Sequence, residues 1–313
     1  MRKSFVRKVK TEADYRKRFL WIVTAVLAVI AVCCVGYAVH YYHKLNRQEA
    51  HYEELRMPKP QRIVIEPEAA ETTEEMEPVC DPIYDFENLR EENADIYAWI
   101  TVPGTQVDYP VLQSETDNYY LECNLDGSPG YPGCIYTNKC NQKDFSDYNT
   151  VLYGHNMKNG SMFGCLHSYE EQEFFDENRE IIVYTEEGRL TYEIYAAVKF
   201  TDVYIPAYYD LATADGRDAF LSVLLEESAD SDVSHVDESV EIQPEDRLIT
   251  LSTCVKGEQS KRWLVVGRLV EKAAYRRPVL SSEASSRQFW ITGGRQFLLG
   301  RNYKSLAYLA GIR

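Results

Sequence analysis

The chain has 313 residues, of which 45% are hydrophobic and 24 are tyrosine, a composition that supports a buried core and favours β-rich structure. Its net charge of -15 excludes a typical nucleic-acid-binding protein, which needs a basic surface. The charge is uneven, because residues 1–18 hold eight Lys or Arg against two acidic residues, and residues 272–313 hold eight against one.

A single apolar segment follows the basic N-terminus. Phe19–Val39 contains no charged side chain, and as a helix it would measure about 30 Å, the thickness of the hydrocarbon core of a bilayer. A cleaved signal peptide would have a shorter apolar stretch and a small-residue cleavage site, whereas bulky aromatic residues follow here. The basic leader outweighs Lys44 and Arg47 on the other side. We therefore predict a cytoplasmic leader (1–18), a single-pass anchor in the cell membrane (19–39), and an extracellular remainder.

Residues 40–82 are predicted to form an extracellular stalk. A charged, helix-like start leads into a stretch rich in Pro and Glu that cannot bury enough apolar surface to fold. The folded domain is predicted over residues 83–271. The basic tail, 272–313, has scattered apolar residues and no pattern that assigns it a role.

Within 83–271, short β-rich runs alternate with turn signals, which indicates a mainly β fold, either a barrel or a sandwich. The sequence IIVYTEEGRLTYEIYAAV predicts a β-hairpin around a turn that contains Gly. Helices are predicted in MFGCLHSYEEQEFF and GRDAFLSVLLEES, and a short amphipathic helix in FENLREENADIYAWI.

Eight cysteines are present, two of them in the apolar segment. No C-x-x-C pair occurs, so we expect no zinc site, and nothing in the sequence calls for a cofactor. If Cys254 is a free nucleophile, five cysteines remain outside the membrane and cannot all pair within one chain. Their pairing stays open.

Three chemically useful residues lie at predicted strand ends. Cys254 ends the strand-like run RLITLSTC, and after a seven-residue loop Arg262 begins the run RWLVVGRLV. Antiparallel pairing of these two runs would bring Arg262 beside Cys254. His155 follows a third strand-like run, TVLYG, and a barrel collects strand ends on one rim.

This set of side chains is sufficient for acyl transfer. A thiolate is a strong nucleophile, and a neighbouring imidazole can move the protons of the reaction. A guanidinium is permanently charged and can stabilise an oxyanion.

The segments that carry these residues resemble the signature segments of the sortases. TLSTC (250–254) with Arg262 matches the family generally, and LYGHNMKNGSMFG (152–164) is similar to class B in particular. The similarity extends from about Phe86 to Glu271. Residue by residue, the resemblance implies that Cys254 is the nucleophile, His155 the catalytic histidine and Arg262 the catalytic arginine.

The resemblance also implies the fold and the reaction. It implies a closed sortase-type β-barrel of about eight strands with short helices. Cys254 would cleave a C-terminal sorting signal of the NPxTx or xPxTG type on a surface protein, and an amine of a peptidoglycan precursor would release the acyl-enzyme. Ser252 and Thr253 are expected to line the substrate groove, and residues 203–246 are the candidate specificity wall.

Two alternatives remain at this point. A pilin-polymerising sortase would use a pilin Lys as the acceptor amine, and no short motif distinguishes it. A non-catalytic module that binds signal peptides would not need all three of Cys254, His155 and Arg262. A papain-like protease fits poorly, because no C-G-S-C-W context surrounds any cysteine.

Overall fold

The structure, a computed structural model, describes residues 2–56, 79–80 and 83–275. Two predicted regions therefore lie largely outside the described residues: most of the stalk beyond residue 56, and the tail from residue 276.

The described residues form helices and strands in an order typical of a mainly β domain. The helices are α1 (Arg2–Leu55), α2 (Phe86–Glu92), α3 (Tyr119–Glu122), a 3₁₀ helix (Gly164–Glu170), α4 (Gln172–Glu177), α5 (Ile205–Tyr208) and α6 (Ala214–Ala229). The strands are β1 (Val79–Cys80), β2 (Ile96–Thr101), β3 (Asp108–Leu112), β4 (Ile135–Thr137), β5 (Asn149–Tyr153), β6 (Glu180–Tyr184), β7 (Gly188–Thr201), β8 (His235–Val236), β9 (Leu248–Val255) and β10 (Glu258–Tyr275).

Eight strands close into a barrel. Their order is β10-β9-β5-β4-β3-β2-β6-β7, and pairing of β7 with β10 joins the two ends. The short strands β1 and β8 pair with the outer edges of β10 and β7 respectively. This arrangement confirms the predicted closed barrel of about eight strands, and the predicted hairpin is present as β6 and β7.

Two apolar clusters hold the domain together. The barrel interior contains Trp99, Phe163 and Trp263, each fully buried. On the outside, α6 packs against β7, with the Phe200 and Phe220 ring centroids 6.1 Å apart.

The helices predicted in MFGCLHSYEEQEFF and GRDAFLSVLLEES are present, the first as the 3₁₀ helix with α4 and the second as α6.

The helix predicted over FENLREENADIYAWI is wrong in its second half. Asp85 caps α2 through hydrogen bonds from the Glu87 and Asn88 amides, and that helix ends at Glu92. Residues 96–101 form β2 instead, paired with β3 and β6. A short apolar run buried on both faces has no period that distinguishes helix from strand.

Helix α1 is long and apolar enough to cross a membrane. The qualifying part, Tyr15–Leu55, contains an 18-residue window with a mean hydropathy of 2.7, and none of that window is buried by other described residues. This part includes the predicted anchor at 19–39.

The C-terminal end of α1 packs on the barrel, whereas residues 44–56 were predicted to be the helix-like start of a stalk. Leu45, Gln48 and Tyr52 are buried, at the three- and four-residue spacing of one helix face. The Tyr52 hydroxyl donates to the Gly133 carbonyl at 3.1 Å, and Lys44 Nζ donates to the Pro129 carbonyl at 2.6 Å. This apolar stripe is too narrow to stand out among its charged neighbours.

Candidate active site

Strand register brings the three predicted catalytic residues to one rim of the barrel. In the parallel pair of β5 and β9, Tyr153 lies opposite Ser252, so His155 falls level with Cys254 two residues later. In the antiparallel pair of β9 and β10, Arg262 lies directly opposite Cys254. Cys254 therefore has the histidine on one flank and the arginine on the other. Since neighbouring strands lie about 4.8 Å apart, both residues start one strand spacing away from the nucleophile.

Alternation along the strands directs Cys254 and Arg262 to the same side. Their neighbours Thr253 and Trp263 form the adjacent opposed pair and are both buried, Trp263 within the barrel core. Since successive side chains point to opposite faces, Cys254 and Arg262 face outward together.

Cys254 is exposed, whereas Cys134 is buried and Cys165 is partly buried. Burial raises the pKa of Cys134 to about 12 and also raises the pKa of Cys165 above its usual value. The seven cysteines whose side chains are described are all free thiols. Because the thiolate is the reactive form, accessibility favours Cys254 over Cys134 and Cys165 as nucleophile.

His155 lies in a partly enclosed site beside the thiol. Its Nε2 lies 2.7 Å from the Leu121 carbonyl, an acceptor only, so Nε2 carries a proton and donates. The Tyr131 ring covers the imidazole at a centroid distance of 4.7 Å. Burial lowers the pKa of His155 from its usual 6.5, and the hydrogen bond to Leu121 opposes this shift in part. Without a bound substrate, the site therefore favours the neutral form of His155. In this form Nε2 carries the hydrogen, and Nδ1 is the nitrogen that can accept a proton.

Arg262 is held by its own loop. Its Nη1 donates to the carbonyls of Gln259 and Lys261, each at 3.0 Å. Among the described residues, no hydrogen bond joins the Cys254 thiol to the side chains of His155 or Arg262. The three groups are neighbours by strand register.

The structure corrects the expected role of Thr253. It is 2% exposed, and its hydroxyl donates to the Gly154 carbonyl at 2.8 Å, so it joins β9 to the end of β5 and does not line a groove. Ser252 is 6% exposed and lies on the outward face with Cys254. Contact of Ser252 with substrate stays a prediction.

Three stacked tyrosine side chains extend along the outer face of the barrel near the site. Tyr136 stacks on Tyr153 and Tyr153 on Tyr204, with centroid distances of 5.5 and 6.4 Å. Burial raises the pKa of Tyr136, and Tyr204 and Cys254 add to this shift. The predicted specificity segment, 203–246, thus contributes Tyr204 to this surface.

Sequence reasoning missed residues that contact Cys254 through its backbone. Asn156 Nδ2 donates to the Cys254 carbonyl at 2.8 Å, and His167 Nε2 lies 3.1 Å from the same oxygen. His167 lies in the 3₁₀ helix, and its ring stacks on Trp263 at a centroid distance of 5.7 Å. His235 lies in β8, with Nε2 2.9 Å from the Glu170 carbonyl. Only the position of Asn156 next to His155 could have signalled this network.

A metal site is not found in the part of the chain that the structure describes. No group of three or more His, Cys, Asp or Glu side chains there is arranged to hold an ion.

Comparison with known proteins agrees with this geometry. Residues 100–270 match the family model of the sortase domain. The chain is 30% identical over 259 residues to sortase B of Staphylococcus aureus, an alignment that covers 82% of this chain and 98% of the relative.

Solved structures give the same result. A Staphylococcus aureus sortase B–substrate complex is similar with a TM-score of 0.52 and 30% identity, covering 59% of this chain and 84% of that one. A Streptococcus pyogenes class B sortase involved in pilus biogenesis has a TM-score of 0.51 and 26% identity, covering 59% of this chain and 98% of the other.

Proposed function

The chain belongs to the sortase family, in class B, and is a cysteine transpeptidase; on this premise we propose that Cys254, His155 and Arg262 carry its reaction. The observation that supports this assignment most directly is the strand register that sets Cys254 between the other two residues. The non-catalytic binding module considered from the sequence is set aside by the family membership.

The first half of the reaction forms a thioester. Cys254 passes its proton to the neutral His155 and attacks the Thr carbonyl carbon of a C-terminal sorting signal. Arg262 stabilises the oxyanion of the tetrahedral intermediate without any proton transfer. When the C–N bond breaks, the imidazolium of His155 gives its proton to the departing amine, and the acyl group stays on the sulfur.

The second half transfers the acyl group. An amine attacks the thioester carbonyl, and His155 accepts the proton that this amine loses. The C–S bond then breaks to release the Cys254 thiolate, which takes this proton from the imidazolium and restores the thiol and the neutral His155. The new amide joins the surface protein to the acceptor. We propose a peptidoglycan precursor amine as the acceptor and a signal of the NPxTx or xPxTG type as the substrate. A substrate complex of the Staphylococcus aureus relative supports a sorting-signal substrate.

Mass spectrometry tests the nucleophile. The full-length protein, incubated with a panel of sorting-signal peptides, should form an adduct on Cys254 with the best of them. Cys254→Ala should abolish both cleavage and transfer and leave folding nearly intact, because the substitution removes one exposed sulfur. An adduct on Cys140 or Cys165 would reject the assignment.

A pilin Lys is the second candidate acceptor, because one similar solved structure is a class B sortase involved in pilus biogenesis. The two acceptors give products of different mass. Incubating the acyl-enzyme with equal amounts of a peptidoglycan-derived amine and a Lys-containing pilin peptide, followed by product analysis, distinguishes them.

We further propose that residues 19–39 anchor the enzyme in the cell membrane, with the catalytic domain outside the cell. The apolar stretch of α1 and the basic leader support this orientation. Protease added to protoplasts should degrade the catalytic domain, and full protection would refute the orientation.

A further inference from the structure

The carbonyl of Cys254 lies where the ladder between β5 and β9 ends. One rung earlier, the Gly154 amide donates to the Ser252 carbonyl at 3.2 Å. The next rung would need the backbone amide of residue 156, but the chain turns away there and forms a bridge with Met162. The side chain of Asn156 supplies the missing donor, with Nδ2 2.8 Å from the Cys254 carbonyl. The sheet is thus extended by one rung at the nucleophile.

A histidine and a glutamate hold Asn156 in this position. His167 Nε2 lies 2.9 Å from Asn156 Nδ2, and His167 Nδ1 lies 2.6 Å from Glu170 Oε1. One assignment of hydrogens satisfies these two contacts and the bond from Asn156 to the Cys254 carbonyl, and in it the 3.1 Å approach of His167 Nε2 to that carbonyl is not a hydrogen bond. The Glu170 carboxylate accepts from Nδ1–H, and Nε2 accepts one amide hydrogen of Asn156, which leaves the second for Cys254.

The 3₁₀ helix that carries His167 is fixed by the barrel core. The indole Nε1 of buried Trp263 donates to the Leu166 carbonyl at 2.9 Å, and the same indole stacks on the His167 ring. The imidazole is 21% exposed. Because Trp263 follows Arg262 directly, one strand positions both the arginine and the support for His167.

We propose that Asn156, His167 and Glu170 form a clamp that positions Cys254 for attack. Cys254 is exposed and lies beyond the last backbone pair between β9 and β5, so β10 alone pairs with it and the side that faces β5 would otherwise fray. Fixing its carbonyl fixes the backbone angles of Cys254 and hence the direction of the thiol toward the scissile carbonyl. The inference rests on the proposed role of Cys254 as nucleophile.

Steady-state kinetics of the full-length enzyme test the clamp. With a sorting-signal peptide that the wild type cleaves, Asn156→Ala and His167→Leu should each lower kcat on the order of tenfold, because small errors in placing a nucleophile slow the chemical step. KM should stay within about twofold, because neither residue is assigned to the binding of the peptide. His167→Gln keeps an amide at the position of Nε2 and should recover most of the loss. Ser168→Ala, an exposed neighbour, is the matched control and should behave as wild type.

A spectroscopic measurement reports the clamp without any turnover. With ¹³C-carbonyl Cys and ¹⁵N Val, only the Cys34–Val35 and Cys254–Val255 peptide bonds give a carbonyl–nitrogen correlation, and Cys254→Ser identifies the second. Its carbonyl resonance should move upfield in Asn156→Ala and His167→Leu, because a hydrogen bond is lost, and should not move in Ser168→Ala.

An unmoved correlation, a kcat within twofold of wild type in both variants, or a loss expressed in KM would overturn the clamp. These outcomes differ from failure of the proposed function, which is read from turnover by Cys254→Ala. If His167→Leu does not fold, the test uses Asn156→Ala, in which kcat should fall, and His167→Gln, in which kcat should stay near the wild-type value.

Discussion

A methyl group added at Gly133 would meet the ring of His155, the residue proposed as the catalytic histidine, and should disable the proposed site. Its φ is +69°, a region that favours glycine. A Cβ built there would lie 2.8 Å from the Tyr120 carbonyl oxygen, 3.2 Å from His155 Cδ2 and 3.2 Å from the Leu121 carbonyl oxygen. The Leu121 oxygen is the acceptor that holds His155 Nε2. Gly133→Ala should therefore displace both the imidazole and its acceptor.

The loss of unfolding free energy in Gly133→Ala has two parts, a backbone cost and an overpacking cost. A substitution at a second glycine, Gly127, measures the backbone cost separately. Gly127 has a φ of +74°, and a Cβ added there would meet no atom within 4 Å. Gly127→Ala should therefore show the backbone cost alone, about 1–2 kcal/mol of unfolding free energy. That cost corresponds to a fall in Tm of about 2–8 °C for a domain of this size. Gly133→Ala should lose about 1–3 kcal/mol more through overpacking.

Peptide cleavage by the two variants provides the assay. Gly133→Ala should lower kcat about 10- to 100-fold, because His155 no longer lies in its working position. Gly127→Ala should stay within twofold of wild type once both are measured well below their Tm. If Gly133→Ala and Gly127→Ala showed equal losses of stability and equal decreases in kcat, the close approach of residue 133 to His155 would have no effect on catalysis. That result would refute the prediction.

The other members of the site, and the packed end of α1, also have predictable behaviour. His155 should titrate by NMR with a midpoint below 6.5, since burial lowers its pKa. As the pH falls below 6.5, the histidine of the unfolded chain binds a proton before that of the folded chain does, so the folded state loses stability. A midpoint at or above 6.5 would contradict the burial argument. Arg262→Lys keeps the positive charge but loses the planar set of guanidinium donors, so kcat should fall about 10²- to 10³-fold with little change in KM. A near-normal kcat would mean that Arg262 does not stabilise the oxyanion. Tyr52→Phe leaves the Gly133 carbonyl without its donor and should cost about 1–2 kcal/mol of unfolding free energy, whereas Tyr42→Phe, at a position 62% exposed, should cost almost nothing. Equal losses would mean that the hydrogen bond from Tyr52 to Gly133 adds nothing to the stability of the packed end of α1.

Local patterns in the sequence were sufficient for the parts of the site that depend on neighbouring segments. Two β-rich runs separated by seven residues predict an antiparallel pair, and the structure pairs Cys254 with Arg262 directly. The apolar run at 19–39 likewise needs only its own composition to predict a helix of membrane-spanning length. The β-hairpin and the two later helices follow from the same kind of short-range periodicity.

Tertiary structure alone decided the contacts between segments distant in the sequence. Closure of the barrel depends on the pairing of β7 with β10, and the level of His155 beside Cys254 depends on the parallel register of β5 and β9. A slip of one residue in that register would turn each side chain to the opposite face, and no local pattern fixes it.

The same reason explains why Thr253, expected in a groove, is buried, and why residues 44–56 pack on the barrel although their charged sequence favours a stalk. A buried hydroxyl is stable only where a partner is present, and its partner, the Gly154 carbonyl, is 99 residues away in the chain. The clamp on Cys254 likewise joins residues 156, 167 and 254. Residue types and their spacing predict the chemistry of this protein, whereas the long-range strand pairings determine which side chains can perform it.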